Sequence, residues 1–282
     1  MRPRELSLSV QLFAARTPTL APATHTNSYA LGARDVLLVE PATPFADEQH
    51  AWAEWARGLA SQGRRPVAIV VTHHHPDHVG GAPDLARALG LPIWAHEETR
   101  ARMDDPSIVT RGLVDGEALD LDGPTVERWT VLHTPGHAPG HVCLFEERTR
   151  TAVVGDMVAS VGTILIAPGD GDMTLYLAQL ERLAKLDAKL ALPAHGEPID
   201  APSKLFRRYV THRLMREEKV LAAVRAKGPA GGTNAELVPL AYDDTPAHVW
   251  PIASISLAAH LEKLERDGLV RPLDGRYVAV EQ

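Results

Sequence analysis

A chain of 282 residues is too long for a minimal domain and suits one large domain, alone or with a small appendage. Its 45% hydrophobic and 23% charged residues are typical of a globular protein with a sizeable core. The net charge of −7 and the pI near 6.0 argue against a protein that coats nucleic acid. Cys143 is the single cysteine, which excludes an internal disulfide. With no secretory signal or bilayer-spanning apolar run, we expect a cytoplasmic protein without a membrane partner.

The first two hundred residues alternate between strand-like and helix-like patterns. Leu6, Leu8, Val10 and Leu12 alternate with polar residues, which predicts a first strand. Short apolar runs bounded by Gly, Pro and charged residues recur at 35–40, 65–72, 126–134, 141–147, 151–156 and 189–195. Helical periodicity occupies 46–63 and 172–187. The apolar face of the second helix is predicted to carry Leu175, Ala178, Leu180, Leu183 and Leu186. Such a mixture of strands and helices predicts a layered α/β architecture.

The pattern changes near residue 200, beyond which helices dominate. Helices are predicted at 202–228, at 233–242 with Thr233 as N-cap, and at 251–270 with Gly268 closing the last one. A short strand is predicted at 276–280. Three helices that end in a short strand pair are typical of a small winged-helix-like module. We therefore expect two domains, 1–202 and 203–282.

The segment "VVTHHHPDHVGG" (70–81) crowds four histidines and an aspartate at the end of a predicted strand. On a strand, alternate residues share a side, so His73 and His75 can converge on one point. A helix that starts at Pro76 turns Asp77 and His78 toward a neighbouring point. This pattern supplies two distinct ligand sets, as two adjacent metal ions require.

Three further predicted strands each end in a candidate ligand, namely His137, Asp156 and His195. Functional side chains concentrate on loops at strand ends, because the strands fix their geometry. Imidazole and carboxylate together suit zinc, iron or manganese better than calcium. The absence of cysteine ligands argues against a structural zinc site.

These motifs resemble those of the metallo-β-lactamase superfamily. "THHHPDHVGG" fits its H-x-H-x-D-H signature, and "TPGHAPGH", "VVGD" and "PAHG" follow in the family's order, so the resemblance covers roughly residues 5–200. It implies a four-layer αββα sandwich with a dinuclear site at one edge. Carried over by position, the first metal would be held by His73, His75 and His137. The second would be held by Asp77, His78 and His195, with Asp156 bridging the two ions. His74 falls on the variable position of the signature.

The resemblance also implies a cofactor and a mechanism. The cofactor would be two divalent ions, zinc being expected and iron or manganese being alternatives. Such a pair lowers the pKa of a shared water from about 16 toward about 7. A metal-bridging hydroxide would then attack the substrate, with Asp77 orienting this nucleophile as well as binding metal.

The C-terminal part resembles the β-lactamase-like protein two subfamily, which carries a winged-helix-like tail after the last metal histidine. The segments that carry the resemblance are "PAHGEPI", "YVTHRLMREEKVLAAV" and "AAHLEKLERDGLV". Characterised relatives in that group include single-strand-specific endoribonucleases and acyl-carrier thioesterases.

Three classes of function follow from these observations. The first is a dinuclear metallohydrolase acting on a small ester, thioester or lactone, and this is our main prediction. The second is a metal-dependent endoribonuclease that cleaves single-stranded RNA. The third is a non-catalytic or redox member of the fold, against which the seven filled ligand positions argue. A homodimer is among the possible assemblies.

The segment 203–230 bears on the choice between small substrates and RNA. It holds eight lysines and arginines against Glu217 and Glu218. A basic helix near the metal edge could guide a polyanion, or it could be a solvated helix with salt bridges. The module after residue 231 is acidic on balance, which argues against sequence-specific DNA binding. His133 and His141 flank the third metal motif and are predicted to be core residues or supports of a ligand.

Overall fold

The computed structural model describes residues 3–280, which form two compact units. The first unit comprises the chain up to Thr134, together with Pro139–Thr163 and Asp187–Pro202. The second comprises Pro135–Ala138, Ile164–Leu186 and the chain from Ser203 onward. The division into domains 1–202 and 203–282 stays a prediction, because these units follow contacts rather than the limits of independently folding domains. Across residues 3–280, no helix combines the length and apolar character needed to cross a bilayer.

The first unit contains a seven-stranded sheet whose spatial order follows the chain. Its strands are β1 (Arg4–Ser7), β2 (Val10–Arg16), β3 (His25–Leu31), β4 (Asp35–Val39), β5 (Arg65–Val70), β6 (Ile93–His96) and β7 (Val109–Leu113). The pairs from β1 to β4 are antiparallel, and those from β4 to β7 are parallel. The carboxyl ends of β4 and β5 therefore meet at one edge of the sheet.

A six-stranded sheet completes the strand layers of this unit. It is built from β8 (Ala118–Leu121), β9 (Glu127–His133), β10 (Val142–Glu146), β11 (Thr151–Gly155), β12 (Leu190–Pro193) and β13 (Ile199–Asp200). Only β11 and β12 are parallel neighbours, so the loops after these two strands emerge at the same edge. These loops carry Asp156 and His195.

Burial explains why the two sheets face each other. Tyr29, Leu37 and Val70 of the first sheet share one apolar core with Trp129 and Leu144 of the second. The other face of the first sheet is covered by helices α1 (Ala46–Gly58) and α3 (Ala82–Leu89). Short helices α2 (Pro76–Val79) and α4 (Glu97–Arg100) lie after β5 and β6. The layered α/β architecture predicted from the sequence is present in this unit.

The second unit is mainly helical, with α5 (Met173–Lys185), α6 (Ser203–Ala226), α7 (Asn234–Ala241) and α8 (Trp250–Arg266). The predicted apolar face of α5 was wrong in part, because Leu175 and Ala178 are exposed. The side chains that α5 buries are those of Met173, Tyr176, Leu177, Leu180, Leu183 and Ala184. The buried face therefore includes Met173 and Tyr176, which a count of leucines alone did not include.

The C-terminal helices pack with a strand pair around their own core. The predicted N-cap Thr233 is confirmed, and it forms a capping box with Glu236. A hairpin pairs β14 (Val270–Leu273) with β15 (Arg276–Ala279). The core of this part is formed by Val220, Val224, Leu237, Leu257, Leu261 and Leu264. Gly268 is confirmed as the residue that closes α8, since the helix ends at Arg266 and the chain reverses at Gly268 with a φ of 72°.

Candidate metal centre

The histidine cluster lies at the switch from β5 to α2. His75 is the N-cap of α2 with extended backbone angles (φ −64°, ψ 146°), and Pro76 is the first helical residue. Nε2 of His73 lies 3.0 Å from Nδ1 of His75. The side chains of Asp77 and His78 belong to the first turn of the helix and contribute to a second cluster with His195. The predicted helix start at Pro76 is confirmed, but β5 ends at Val70, so His73 and His75 approach each other in the connecting loop and not by strand alternation.

The second cluster joins residues of α2 with residues of the two loops that follow β11 and β12. Nε2 of His195 lies 3.5 Å from Oδ2 of Asp77 and 3.4 Å from Oδ1 of Asp156. Nε2 of His78 lies 3.9 Å from Oδ1 of Asp77 and 3.7 Å from Oδ2 of Asp156. One donor atom from each of Asp77, His78 and His195 falls within 4.8 Å of the others, as does one from each of His73, His78 and Asp156. Asp156 thus lies where a group shared by two sites would lie.

These donors fit a pair of divalent metal ions. Nitrogen and oxygen ligands bind zinc at about 2.0–2.2 Å, so two ligands of one ion stand roughly 3–4 Å apart, as the atoms here do. His78 is completely buried, and neither of its ring nitrogens has a hydrogen-bond partner within residues 3–280. Burying an imidazole without hydrogen-bond partners costs free energy unless a ligand such as a metal ion binds it.

The electrostatics of the cluster also favour a cation. Burial opposes the charged form of His78, yet Glu40, Asp77 and Asp156 outweigh it and hold the pKa of His78 well above its usual value. Burial likewise opposes the charged form of Asp156, but His78 and His195 keep its pKa well below the usual range. The pKa of His195 is raised, since Asp156 outweighs the effect of burial. A field that stabilises protonated histidines also attracts metal ions.

The His195 loop is clamped by the start of β3. The Asn27 side chain donates to the carbonyl oxygens of Pro193 and Gly196, at 3.0 and 2.7 Å. Nδ1 of His195 lies 3.0 Å from the carbonyl oxygen of His25 and must donate to it, because a carbonyl only accepts. This bond leaves Nε2 of His195 free to bind metal, as is usual for metal-binding histidines.

The Asp156 loop is supported by His141. The backbone N–H of Asp156 donates to Nε2 of His141 at 3.1 Å, so this nitrogen is unprotonated. Nδ1 of His141 carries the proton and faces Oγ1 of Thr134 at 2.8 Å. Gly155 has a φ of +46°, and a Cβ there would lie 2.5 Å from Nε2 of His141. His141 is therefore a buried support of the Asp156 loop. This agrees with the prediction that it supports a candidate ligand.

Comparisons with known proteins agree with this geometry. The family model described as "Metallo-beta-lactamase superfamily" matches residues 21–195. The chain belongs to the metallo-β-lactamase superfamily. A second model, "Beta-lactamase associated winged helix domain", matches residues 233–276. The predictions of a superfamily hydrolase with this sandwich fold and a C-terminal winged helix are confirmed.

Individual relatives are similar over most of the chain. "Beta-lactamase-like protein 2 homolog" from Drosophila melanogaster is 28% identical over 260 residues, covering 87% of this chain and 84% of the fly protein. "Atrochrysone carboxyl ACP thioesterase" from Aspergillus chevalieri is 30% identical over 203 residues, covering 71% of this chain and 60% of the fungal protein. The crystal structure of a metallo-β-lactamase family protein from Thermus thermophilus has a TM-score of 0.79 at 27% identity, covering 98% of this chain and 100% of that one.

One candidate ligand of this superfamily hydrolase, His137, belongs to the second unit. There its Nδ1 lies 2.9 Å from the carbonyl oxygen of Leu165 and donates to it. In the neutral ring Nε2 is then the unprotonated nitrogen. The other six candidate ligands all belong to the first unit. The assignment of His137 to the first metal stays a prediction from the motif.

Sequence reasoning missed Glu40, which directly follows β4. Its carboxylate is buried, and Oε2 lies 3.3 Å from Nδ1 of His78. Its backbone has a φ of 61°, a conformation that few residues other than glycine adopt. Ser28 and Val70 hold that backbone by hydrogen bonds to its carbonyl oxygen and from its N–H. A signal for Glu40 was present in the sequence, since the apolar run at 35–40 ends in this glutamate just as the other runs lead to candidate ligands.

His133 has a different environment from His141. Nε2 of His133 donates to the carbonyl oxygen of Pro139 at 2.8 Å. Its ring stacks on that of His96, with centroids 4.0 Å apart and planes 10° from parallel. These contacts make His133 a packing residue between β6 and β9.

Proposed function

We propose that this metallo-β-lactamase superfamily hydrolase cleaves a small ester or thioester, or a lactone, with a pair of zinc ions. The observation that carries the proposal is the convergence of two aspartates and two histidines on one cluster, namely Asp77, Asp156, His78 and His195. Together with Glu40, these aspartates raise the pKa of His78 against the effect of burial. Imidazole and carboxylate donors suit zinc, and iron or manganese would also fit. A cytoplasmic location is consistent with the single cysteine.

The substrate class is supported by one relative. The fungal protein that is 30% identical over 203 residues carries the name of an acyl-carrier-protein thioesterase. A thioester carbonyl is a good electrophile for a metal-activated water, and its cleavage needs no serine or cysteine nucleophile. The single cysteine, Cys143, is buried within β10 and is unsuited to act as one.

The environment of α6 weakens the argument for RNA. Arg213 and Arg216 are buried, with exposures of 3% and 6%, so neither can meet a polyanion at the surface. Lys219 pairs with Asp243 at 2.6 Å and with Asp244 at 2.9 Å. The basic count of 203–230 therefore overstates the positive charge that this helix presents to solvent. We rank the endoribonuclease second.

The chain's own residues have separable tasks in the proposed reaction. Bound divalent ions would supply a water of lowered pKa and stabilise negative charge on the attacked oxygen. Asp77, with 17% of its side chain exposed, is the most open carboxylate of the cluster and is the one to orient this water. His78 and Asp156 are more deeply buried and keep the centre in place. Asn27 holds the His195 loop and His141 holds the Asp156 loop by hydrogen bonds to their backbones.

The test is a substrate panel with enzyme of known metal content. Wild type and Asp77→Ala, purified identically, are assayed on an acyl-coenzyme A, a nitrophenyl ester, a lactone and a labelled single-stranded RNA. We expect thioester or ester hydrolysis by the wild type, lost in Asp77→Ala by at least about 100-fold. Asp84→Asn, which changes an exposed aspartate of α3, is the matched control and should retain full activity.

The outcomes separate the candidate functions. RNA cleavage that disappears in Asp77→Ala, with no hydrolysis of the other substrates, would replace our proposal with the endoribonuclease. Equal rates in wild type and Asp77→Ala on every substrate would mean a contaminating enzyme and would refute the proposed catalytic role of Asp77.

A further inference from the structure

The segment that carries His137 is held by the helical unit. Pro135–Ala138 belongs to the second unit, although the residues on both sides of it belong to the first. Three contacts within the second unit hold this segment, and they lead to the C-terminal helices.

The first contact links the segment to α5 and α8. The backbone N–H of Asp172 donates to the carbonyl oxygen of Gly136 at 2.7 Å. The Asp172 side chain caps α5 by accepting from the N–H of Leu175 at 2.9 Å. Its second oxygen accepts from Nη1 of Arg266, in α8, at 2.5 Å. Arg266 thus fixes the residue whose backbone holds Gly136.

The second contact is the close approach of Gly136 to α5. Gly136 has a φ of +141°, and a Cβ at this position would lie 2.3 Å from Cα of Tyr176. Only glycine permits this approach. The backbone beside His137 therefore lies directly against the first turn of α5.

The third contact reaches His137 itself through Leu165. The Leu165 carbonyl accepts from Nδ1 of His137 and so fixes the tautomer that leaves Nε2 for a metal. The preceding carbonyl, that of Ile164, accepts a hydrogen bond from Nη2 of Arg213 in α6. The guanidinium of Arg213 also lies 5.7 Å from the ring centroid of Tyr176. A buried arginine thus anchors the peptide group next to the one that orients the histidine.

We propose that Arg213 of α6 and Arg266 of α8 are positioning residues for the metal ligand His137, so that the C-terminal helices help to build the metal centre. This inference rests on the proposed function, in which His137 binds the first metal. It assigns the C-terminal region a task at the centre that is independent of any contact with substrate. The expected consequence is that changes in α6 and α8 alter the affinity of one metal and spare the other.

The experiment measures metal affinity in the full-length protein. Metal-depleted protein is titrated with Co²⁺, and the absorption bands and stoichiometry of the two binding steps are recorded. Arg266→Gln and Arg213→Lys are compared with wild type, and Arg266→Lys serves as the conservative variant. We expect one step to weaken on the order of 10-fold in Arg266→Gln and Arg213→Lys, as for other losses of support to a metal-binding histidine. Arg266→Lys should restore most of that loss.

Two reference variants and one control make the outcomes distinct. His137→Ala should abolish the step that the arginine variants weaken, and His195→Ala should abolish the other step. Lys219→Gln breaks a salt bridge of α6 that lies away from the His137 segment, and should leave both steps unchanged.

If His137→Ala still binds two ions with wild-type affinity, His137 is not a ligand and the proposed centre fails. If His137→Ala loses one ion while Arg266→Gln and Arg213→Lys behave like Lys219→Gln, the centre stands and the positioning role is refuted.

Discussion

Each of the two units completely buries a histidine, and the two histidines respond to burial in opposite ways. His78 of the first unit and His260 of the second both have 0% exposure. No ring nitrogen of either has a hydrogen-bond partner in the part of the chain that the structure describes. Burial alone would lower both pKa values, yet the pKa of His78 is raised well above the usual value and that of His260 is lowered.

The carboxylates around each ring account for the difference. Glu40, Asp77 and Asp156 surround His78 and together raise its pKa against the effect of burial. His260 faces one carboxylate, with its Nδ1 3.6 Å from Oε2 of Glu217.

That single carboxylate is already shared with a cation. Lys263 binds Glu217 at 2.9 Å, and the positive charges of Arg213 and Arg216 further lower the pKa of His260. The His260 cluster therefore contains its own compensating cations, whereas carboxylates dominate the field at His78. The sign of the surrounding charge, rather than the burial of a histidine, therefore marks a candidate metal centre.

The largest loss of metal binding and hydrolysis is expected when charge is removed from the His78 cluster. Asp156→Asn keeps the shape of the side chain and removes the carboxylate that faces both His78 and His195. We expect metal content to fall below that of wild type. We also expect hydrolysis to fall by more than about 100-fold, the upper limit for losing a group that only supports a ligand. Elemental analysis and the ester or thioester assay measure the two effects.

A wild-type metal content in Asp156→Asn would contradict the placement of this aspartate between two ions. Asp84→Asn controls for the loss of one negative charge elsewhere in the same unit.

A smaller effect is expected from Glu40, which faces Nδ1 of His78, whereas Asp77 and Asp156 face Nε2. Glu40→Gln removes its charge and preserves its volume. Since carboxylates behind metal-binding histidines typically contribute about 10–100-fold to metal affinity, we expect a loss in this range, measured by competition with a chelator. Glu48→Gln alters another buried glutamate of the same unit, one that accepts from the N–H of Arg16 at 3.2 Å. If both variants bind metal equally well, Glu40 does not tune the centre.

Much of the candidate site could be predicted because its candidate ligands follow the ends of strands. The β5–α2 switch is encoded locally by Val70 and Pro76, and the loops after β11 and β12 follow short apolar runs. The parallel pairing of β11 with β12 brings their two loops to one edge, and the packing of the two sheets on a shared core places that edge beside the end of β5.

What sequence reasoning missed depends on long-range packing. Glu40 follows the end of a strand as the candidate ligands do, but only the parallel pairing of β4 with β5 sets it beside His78. Likewise, the burial of Arg213 and Arg216 depends on acceptors distant in sequence, the carbonyl oxygens of Ile164 and Ala241. A count of charges along the helix could not show that these two arginines leave the surface.

The His260 cluster gives the next test, in which stability and metal binding should separate. Glu217→Gln weakens the attraction to His260 and Lys263, although Lys263 retains Asp267 at 2.6 Å. We expect a loss of about 1 kcal/mol in the free energy of unfolding, because the charge-assisted hydrogen bond from Lys263 to Glu217 becomes a bond to a neutral acceptor. Metal content should not change. Urea denaturation and elemental analysis measure these quantities, with the exposed neighbour Glu218→Gln as control. A loss of bound metal in Glu217→Gln would show that the two clusters are not independent.

The smallest expected effect is a pH dependence that belongs to His260. Burial lowers its pKa in the folded state, and Arg213 and Arg216 add to this against the opposing Glu217. In the unfolded chain the ring binds a proton near about pH 6.5, so acid favours unfolding. The contribution of His260 to stability is therefore complete above about pH 6.5 and is lost as the pH falls from there toward the lowered folded-state pKa.

Subtracting the urea midpoints of His260→Gln from those of wild type between about pH 5 and 8 cancels the other titrating groups. The difference in midpoint should be constant above about pH 6.5. It should decrease below that pH, because only the wild type loses stability through protonation of His260 in the unfolded chain. A difference that stays constant over the whole range would mean that His260 has the same pKa in both states, and the contrast with His78 would then not rest on charge.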